Sequence, residues 1–206
     1  MSVYERHILP HIINCACGSP QVLKLRSKVV PEAKGVVLEV GMGSAINLQF
    51  YDASSVDYIW GLEPSLGMRE KAKKNVAASD LEVRWLDLPG ENVPLDDDSV
   101  DTVLLTFTLC TIPDPLAALS EMRRVLKPNG TLLFCEHGWS PDTRVQKWQS
   151  SLNPVWSKIA GGCNVNREID ELIAQAGFSI TSCQNQYIPA TPKFLAYTYS
   201  GKAVLA

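Results

Sequence analysis

Short, almost wholly apolar runs alternate along the chain with stretches whose apolar positions recur every three or four residues. That rhythm predicts strands buried on both faces, separated by amphipathic helices. Val36–Val40, Val56–Leu62, Leu81–Leu86, Val100–Cys110 and Thr131–Glu136 read as strands. The run from Val100 is the clearest, entered through the polar turn Asp96-Asp97-Asp98-Ser99 and stopped by Pro113 and Pro115. A short helix is expected over Ser44–Tyr51. Ser65 caps a second one, to about Ala78, with Met68, Ala72 and Val76 on one face. Asp114 caps a third, carrying Leu116, Leu119, Met122 and Leu126, and Pro128-Asn129-Gly130 ends it. Ile169, Leu172, Ile173 and Ala176 make a last core helix, closed by Gly177. Phe178–Asn185 and Lys193–Ser200 read as a closing antiparallel hairpin. The fold class that follows is α/β, a doubly wound seven-stranded sheet, mostly parallel with a C-terminal antiparallel hairpin.

Three segments stand outside the rhythm. Tyr4–Cys17 reads as one or two short helices broken at Pro10, either packing on the core edge or forming a lid that turns Tyr4, Arg6, His7 or His11 toward a pocket. Gly18–Pro31 reads as a connection. Gly138–Arg167 holds Trp139, Trp148 and Trp156, with a helix capped by Asp142 and a second restarting at Asn153-Pro154. It is either an extra packed helical hairpin or the substrate side of an α/β fold. No repeat, low-complexity tract or linker interrupts the chain. A single domain over 1–206 is expected, with 1–30 as an N-terminal lid segment and 138–167 as the insertion.

Composition narrows the function. With 206 residues, 46% of them hydrophobic, the chain can close one substantial core. Its net charge of −3 supplies no basic footprint for nucleic acid. Cys15, Cys17, Cys110, Cys135, Cys163 and Cys183 are scattered, mostly inside apolar runs, and read as buried free thiols in a reducing cytosol. Cys15-Ala16-Cys17 has no second pair at ligand spacing, so no metal site is read. No transmembrane segment is apparent, and Pro10, His11 and Asn14 spoil the N-terminus as a signal peptide. A cytoplasmic protein is expected, with peripheral membrane contact and oligomeric state left open.

The chemistry centres on residues 36–46, a strand that breaks into a glycine turn. Gly41 and Gly43 allow a tight turn on which a ligand can lie against backbone N–H groups at the start of the next helix. Glu39 is a carboxylate in an otherwise apolar strand. Glu63 ends the next run, where it can reach a ribose diol. Nicotinamide and flavin enzymes share this layout. A pyrophosphate on the helix N-terminus, however, would meet Glu39 unfavourably.

In order, the motifs are Glu39-Val-Gly41-Met-Gly43-Ser-Ala45, Glu63-Pro64-Ser65 with Met68, Gly90-Glu91-Asn-Val-Pro94, Asp98-Ser-Val-Asp101, Pro113-Asp114-Pro115, Arg124-Val-Leu-Lys127-Pro-Asn-Gly130 and Phe134-Cys-Glu136-His137. This order resembles the class I S-adenosylmethionine-dependent methyltransferases, with their Rossmann-like sheet, over about residues 34–137. Glu136-His-Gly through Gly161-Gly-Cys163-Asn-Val-Asn166-Arg167 is further similar to a subgroup with small bacterial members and thiol methyltransferases. The resemblance implies S-adenosyl-L-methionine as cofactor, its methionine end held by Glu39, Gly41 and Gly43. It puts the ribose on Glu63, beside Pro64, and the adenine on Met68, with Gly90 and Glu91 at its amino edge and Asp87 as an alternative there. Thr106, Thr108 and Leu109 would lie beneath the sulfonium. Ala45 stands where the family has a third glycine, which is tolerable if the helix sits slightly farther from the ligand. The implied substrate is a small methyl acceptor, a thiol, hydroxyl or similar group. His137 is then either its general base or an anchor of the Trp-rich segment, and Cys163 either a substrate contact or a buried small hydrophobe. A nicotinamide-dependent oxidoreductase and a non-catalytic cofactor-binding module are the alternatives.

Overall fold

The computed structural model describes residues 8–206, so Tyr4, Arg6 and His7 of the expected lid lie outside the described residues. Seven strands form one sheet: β1 (Gly35–Val40), β2 (Val56–Leu62), β3 (Val83–Leu86), β4 (Val100–Thr106), β5 (Leu126–His137), β6 (Phe178–Tyr187) and β7 (Tyr197–Leu205). Their order is β3-β2-β1-β4-β5-β7-β6, parallel except for β7, which runs antiparallel to both neighbours. The order in which the strands are laid down reverses between the parallel β1 and β4, and α/β sheets bind ligands at the carboxyl ends of such strands. Val37, Leu38, Val40, Val103, Leu104 and Leu105 on these two central strands are buried, as strands covered on both faces require.

The helices are α1 (Leu9–Cys17), α2 (Pro20–Val29), α3 (Leu66–Ala77), α4 (Pro115–Val125), α5 (Thr143–Ile159), α6 (Ile169–Gln175) and the short α7 (Lys193–Ala196). Ser65, Asp114 and Asp142 cap α3, α4 and α5 with side-chain hydrogen bonds, as expected.

Several boundaries differ from the sequence reading. The expected connection at 18–31 is mostly α2, because Val22, Leu25 and Val29 share a buried stripe. The expected helix after the glycine turn is only a 3₁₀ turn, Ile46–Gln49, entered through Ala45 at φ 58°. A turn that short presents no helix N-terminus to the ligand. Strand β4 stops at Thr106, not Cys110, because Phe107 takes φ 55° and folds 107–112 across the end of the sheet. Helix α5 runs unbroken through Pro154. At the C-terminus α7 takes the first residues of the expected final strand.

Candidate active site

A cleft of about 670 Å³ opens over the carboxyl ends of β1, β2 and β4, a size common for small-molecule sites. Its first wall is the glycine turn. Gly41 and Gly43 sit at φ 69° and 60°, and a Cβ on Gly41 would run into the Thr108 side chain. Only glycine allows both this backbone and this approach.

Glu63 follows β2 directly, beside that turn. Its carboxylate accepts the Gly43 N–H at 2.9 Å through Oε2 and the Ser65 N–H at 2.7 Å through Oε1. Burial raises its pKa against these two bonds. Each oxygen keeps a second lone-pair direction for a ligand. Pro64, Met68, Gly90 and Glu91 continue this end of the cleft, and Glu91 accepts the Asp114 N–H at 3.3 Å. Asp87 is turned outward, ion-paired with Arg69 at 2.5 Å with a side chain 63% exposed.

Behind the turn lies a buried polar network. Asn47 donates to Glu39 Oε1 at 2.8 Å, and the Tyr51 hydroxyl donates to Glu39 Oε2 at 2.7 Å. Arg26 Nη1 donates to Asn47 Oδ1 at 2.9 Å and to Thr106 Oγ1 at 2.6 Å. Glu39 itself is 1% exposed and does not line the cleft; burial pushes its pKa up to about 7. Arg26 does line it, although buried, and its Nε is without a partner among the described residues. Sequence reasoning missed Arg26, Asn47 and Tyr51. A buried arginine on the apolar stripe of α2 was the available signal.

The floor is the 107–112 segment. Glu136, fully buried, accepts the Thr108 N–H at 2.8 Å and draws the Leu109 and Cys110 N–H groups as well. Thr106, Phe107 and Thr108 reach the cleft, whereas Leu109 points into the core and is fully buried. His137 also stays out of the cleft wall: its ring meets the Phe107 ring edge-on at 5.8 Å, and its Nε2 lies 3.4 Å from Cys163 Sγ. The far wall comes from α1, through Leu9, Pro10, Ile13, Asn14 and Cys17, and from Ser157, Lys158, Gly161 and Gly162 at the end of α5.

The cradle fits S-adenosylmethionine. Gly43 has no Cβ to crowd the space beside Met68, Glu63 offers free acceptor directions, and Arg26, which lines the cleft, keeps an Nε without a partner among the described residues.

A family profile described as "Methyltransferase domain" matches residues 38–134. The methyltransferase solved with the Haloferax volcanii Trm112 activator aligns at TM-score 0.71 and 18% identity, covering 98% of this chain and 96% of that one. A SAM-dependent methyltransferase from Thermotoga maritima aligns at 0.66 and 20% identity, covering 98% and 97%. These two show the shared fold. The chain belongs to the class I S-adenosylmethionine-dependent methyltransferases, an enzyme family whose cofactor is S-adenosyl-L-methionine. Within that class it is similar to thiol S-methyltransferase TMT1B of Homo sapiens, 33% identical over 180 residues, covering 83% of this chain and 71% of that protein. Human thiol S-methyltransferase TMT1A is 31% identical over 178 residues, covering 84% and 72%. Among the described residues no helix is long and apolar enough to cross a membrane.

Proposed function

We propose that the enzyme methylates a small thiol held between α1 and the end of α5. The observation that carries this reading is the chemistry of the acceptor end. Its walls set Leu9, Pro10 and Ile13 beside Asn14, Cys17 and Ser157, its cations are Arg26 and Lys158, and no described histidine lines it. A thiol ionises near neutral pH, and cations favour its thiolate, so it needs no dedicated base. A hydroxyl would need one. The names of the relatives agree with this choice.

When bound, the cofactor supplies a methyl group activated by a positive sulfur. Glu63 would hold the ribose hydroxyls, Met68, Gly90 and Glu91 the adenine, and Arg26 the methionine carboxylate. Glu39 would act one layer back, fixing Asn47 and through it Arg26. Thr106 and Thr108 would floor the reacting centre, while Phe107 and α1 exclude water and align the acceptor. We assign His137 no proton transfer, because Phe107 stands between it and the cleft.

A panel of small apolar thiols, phenols and amines, incubated with isotopically methyl-labelled cofactor, tests this. Label should pass to thiols at least about 10² faster than to matched hydroxyl acceptors. Preference for phenols or amines would overturn the thiol assignment. Cofactor binding without transfer to any acceptor would make the chain a binding module.

A further inference from the structure

Cys110, His137 and Cys163 converge from three separate elements. They come from the turn after β4, the last residue of β5, and the loop after α5. Their Sγ and ring nitrogen atoms all lie within 4.8 Å of one another, and Cys163 Sγ stands 3.4 Å from His137 Nε2. The cysteines are free and buried, packed with Val165 and Trp156. Trp156 Nε1–H also donates to Cys163 Sγ at 3.3 Å.

We propose that these three side chains form a binding site for one closed-shell soft or borderline metal ion, zinc(II) or copper(I). Two thiolates and an imidazole are the donor set those ions prefer, and one that magnesium and calcium do not take. Zinc bond lengths in a tetrahedral site put sulfur and nitrogen ligands about 3.5 Å apart, close to the 3.4 Å between Cys163 and His137. A purely packing role explains the three less well. An imidazole buried for packing alone would leave its Nε2 with one thiol as side-chain partner, 3.4 Å away. The N–H···S bond from Trp156 suits a sulfur that carries charge in the bound state.

Such an ion would fasten the α5 loop to the sheet. Gly162, next to Cys163, and Phe107, against His137, both line the cleft. The ion would therefore set the acceptor wall from behind, whichever acceptor the enzyme uses. Three protein ligands leave a fourth tetrahedral position open.

The full chain, purified under reducing and anaerobic conditions and stripped with a chelator, is titrated with zinc(II) against a chromophoric competitor, and separately with copper(I). About one equivalent should bind with submicromolar affinity and raise the melting temperature. Cys110→Ser and Cys163→Ser should each weaken uptake at least about a hundredfold, whereas Cys15→Ser and Cys183→Ser should not. If the buried variants fail to fold, cobalt(II) on the unaltered protein still decides the matter, since two thiolate ligands give a strong near-ultraviolet charge-transfer band. Absence of uptake and of that band in reduced, folded protein would overturn the proposal. A reversible Cys110–Cys163 disulfide without metal uptake would also overturn it, making the pair a redox couple.

Discussion

At the residue scale, Glu39 holds a carboxylate in a fully buried site because three neighbours make it bearable: the Tyr51 hydroxyl, the Asn47 amide and, beyond them, the Arg26 cation. Burial outweighs them and lifts the pKa to about 7, from an ordinary 4.5. Between those values the folded chain binds more protons at this residue than the unfolded chain. Stability therefore falls as pH rises through the window and levels off above it. The loss from this one group is on the order of 3 kcal/mol. Urea midpoints measured from pH 4.5 to 8 on the apo protein should show it. Glu39→Gln, which keeps the shape and the Asn47 contact, should remove that component of the slope. Parallel profiles for the two proteins would mean that Glu39 is already ionised in the fold. The motif order pointed to Glu39; the positions of Asn47 and Tyr51, which hold both of its oxygens and link it through Asn47 to Arg26, come only from the fold.

At the scale of elements, the 138–167 insertion is held by one buried glutamine. Gln149 accepts the Ser140 N–H at 3.0 Å through its Oε1. Its Nε2 donates to the Gly138 carbonyl at 2.9 Å, to Val165 at 2.8 Å and to Phe194 at 3.2 Å. One side chain on α5 thus joins the exit of β5, the loop before α6 and the short α7. Gln149→Leu keeps the volume and strands the Ser140 N–H without its acceptor in a buried place. The expected cost is at least about 2 kcal/mol, a fall of roughly 4–8 °C in melting temperature. An unchanged melting temperature would show that water replaces the amide. Nothing in the local sequence marked Gln149, because a glutamine on a helix is ordinarily a solvated residue.

At the scale of the whole molecule, the cleft draws on α1, α2, the glycine turn, β2, the 107–112 segment and the end of α5. A ligand that joins so many elements binds the folded chain alone and stabilises it by mass action. At a hundred times its dissociation constant, S-adenosylmethionine should contribute about 2.7 kcal/mol, or roughly 5–10 °C in melting temperature for a chain of this size. NAD should give no shift. Glu63→Ala, which would remove the two charge-assisted bonds proposed to a ribose diol, should weaken cofactor binding at least about tenfold and so reduce the shift at fixed cofactor concentration. An equal shift in that variant would put the ribose elsewhere.

The sequence by itself determined the α/β rhythm, the strand count, the glycine turn and the acid that follows β2. Each of these is a local pattern: burial on both faces writes a continuous apolar run, and a backbone at positive φ calls for glycine. It also carried the motif order that identified the class. The tertiary structure alone decided where the polar side chains point. Leu109 and Thr108 are neighbours in sequence, yet Phe107 at φ 55° sends one into the core and the other to the cleft. Arg26 lies far from the glycine turn along the chain and reaches Thr106 across 80 residues. His137, itself a motif residue, turns from the cleft toward Cys163. Such pairings are set by packing among distant segments, for which spacing along the chain holds no periodic signal.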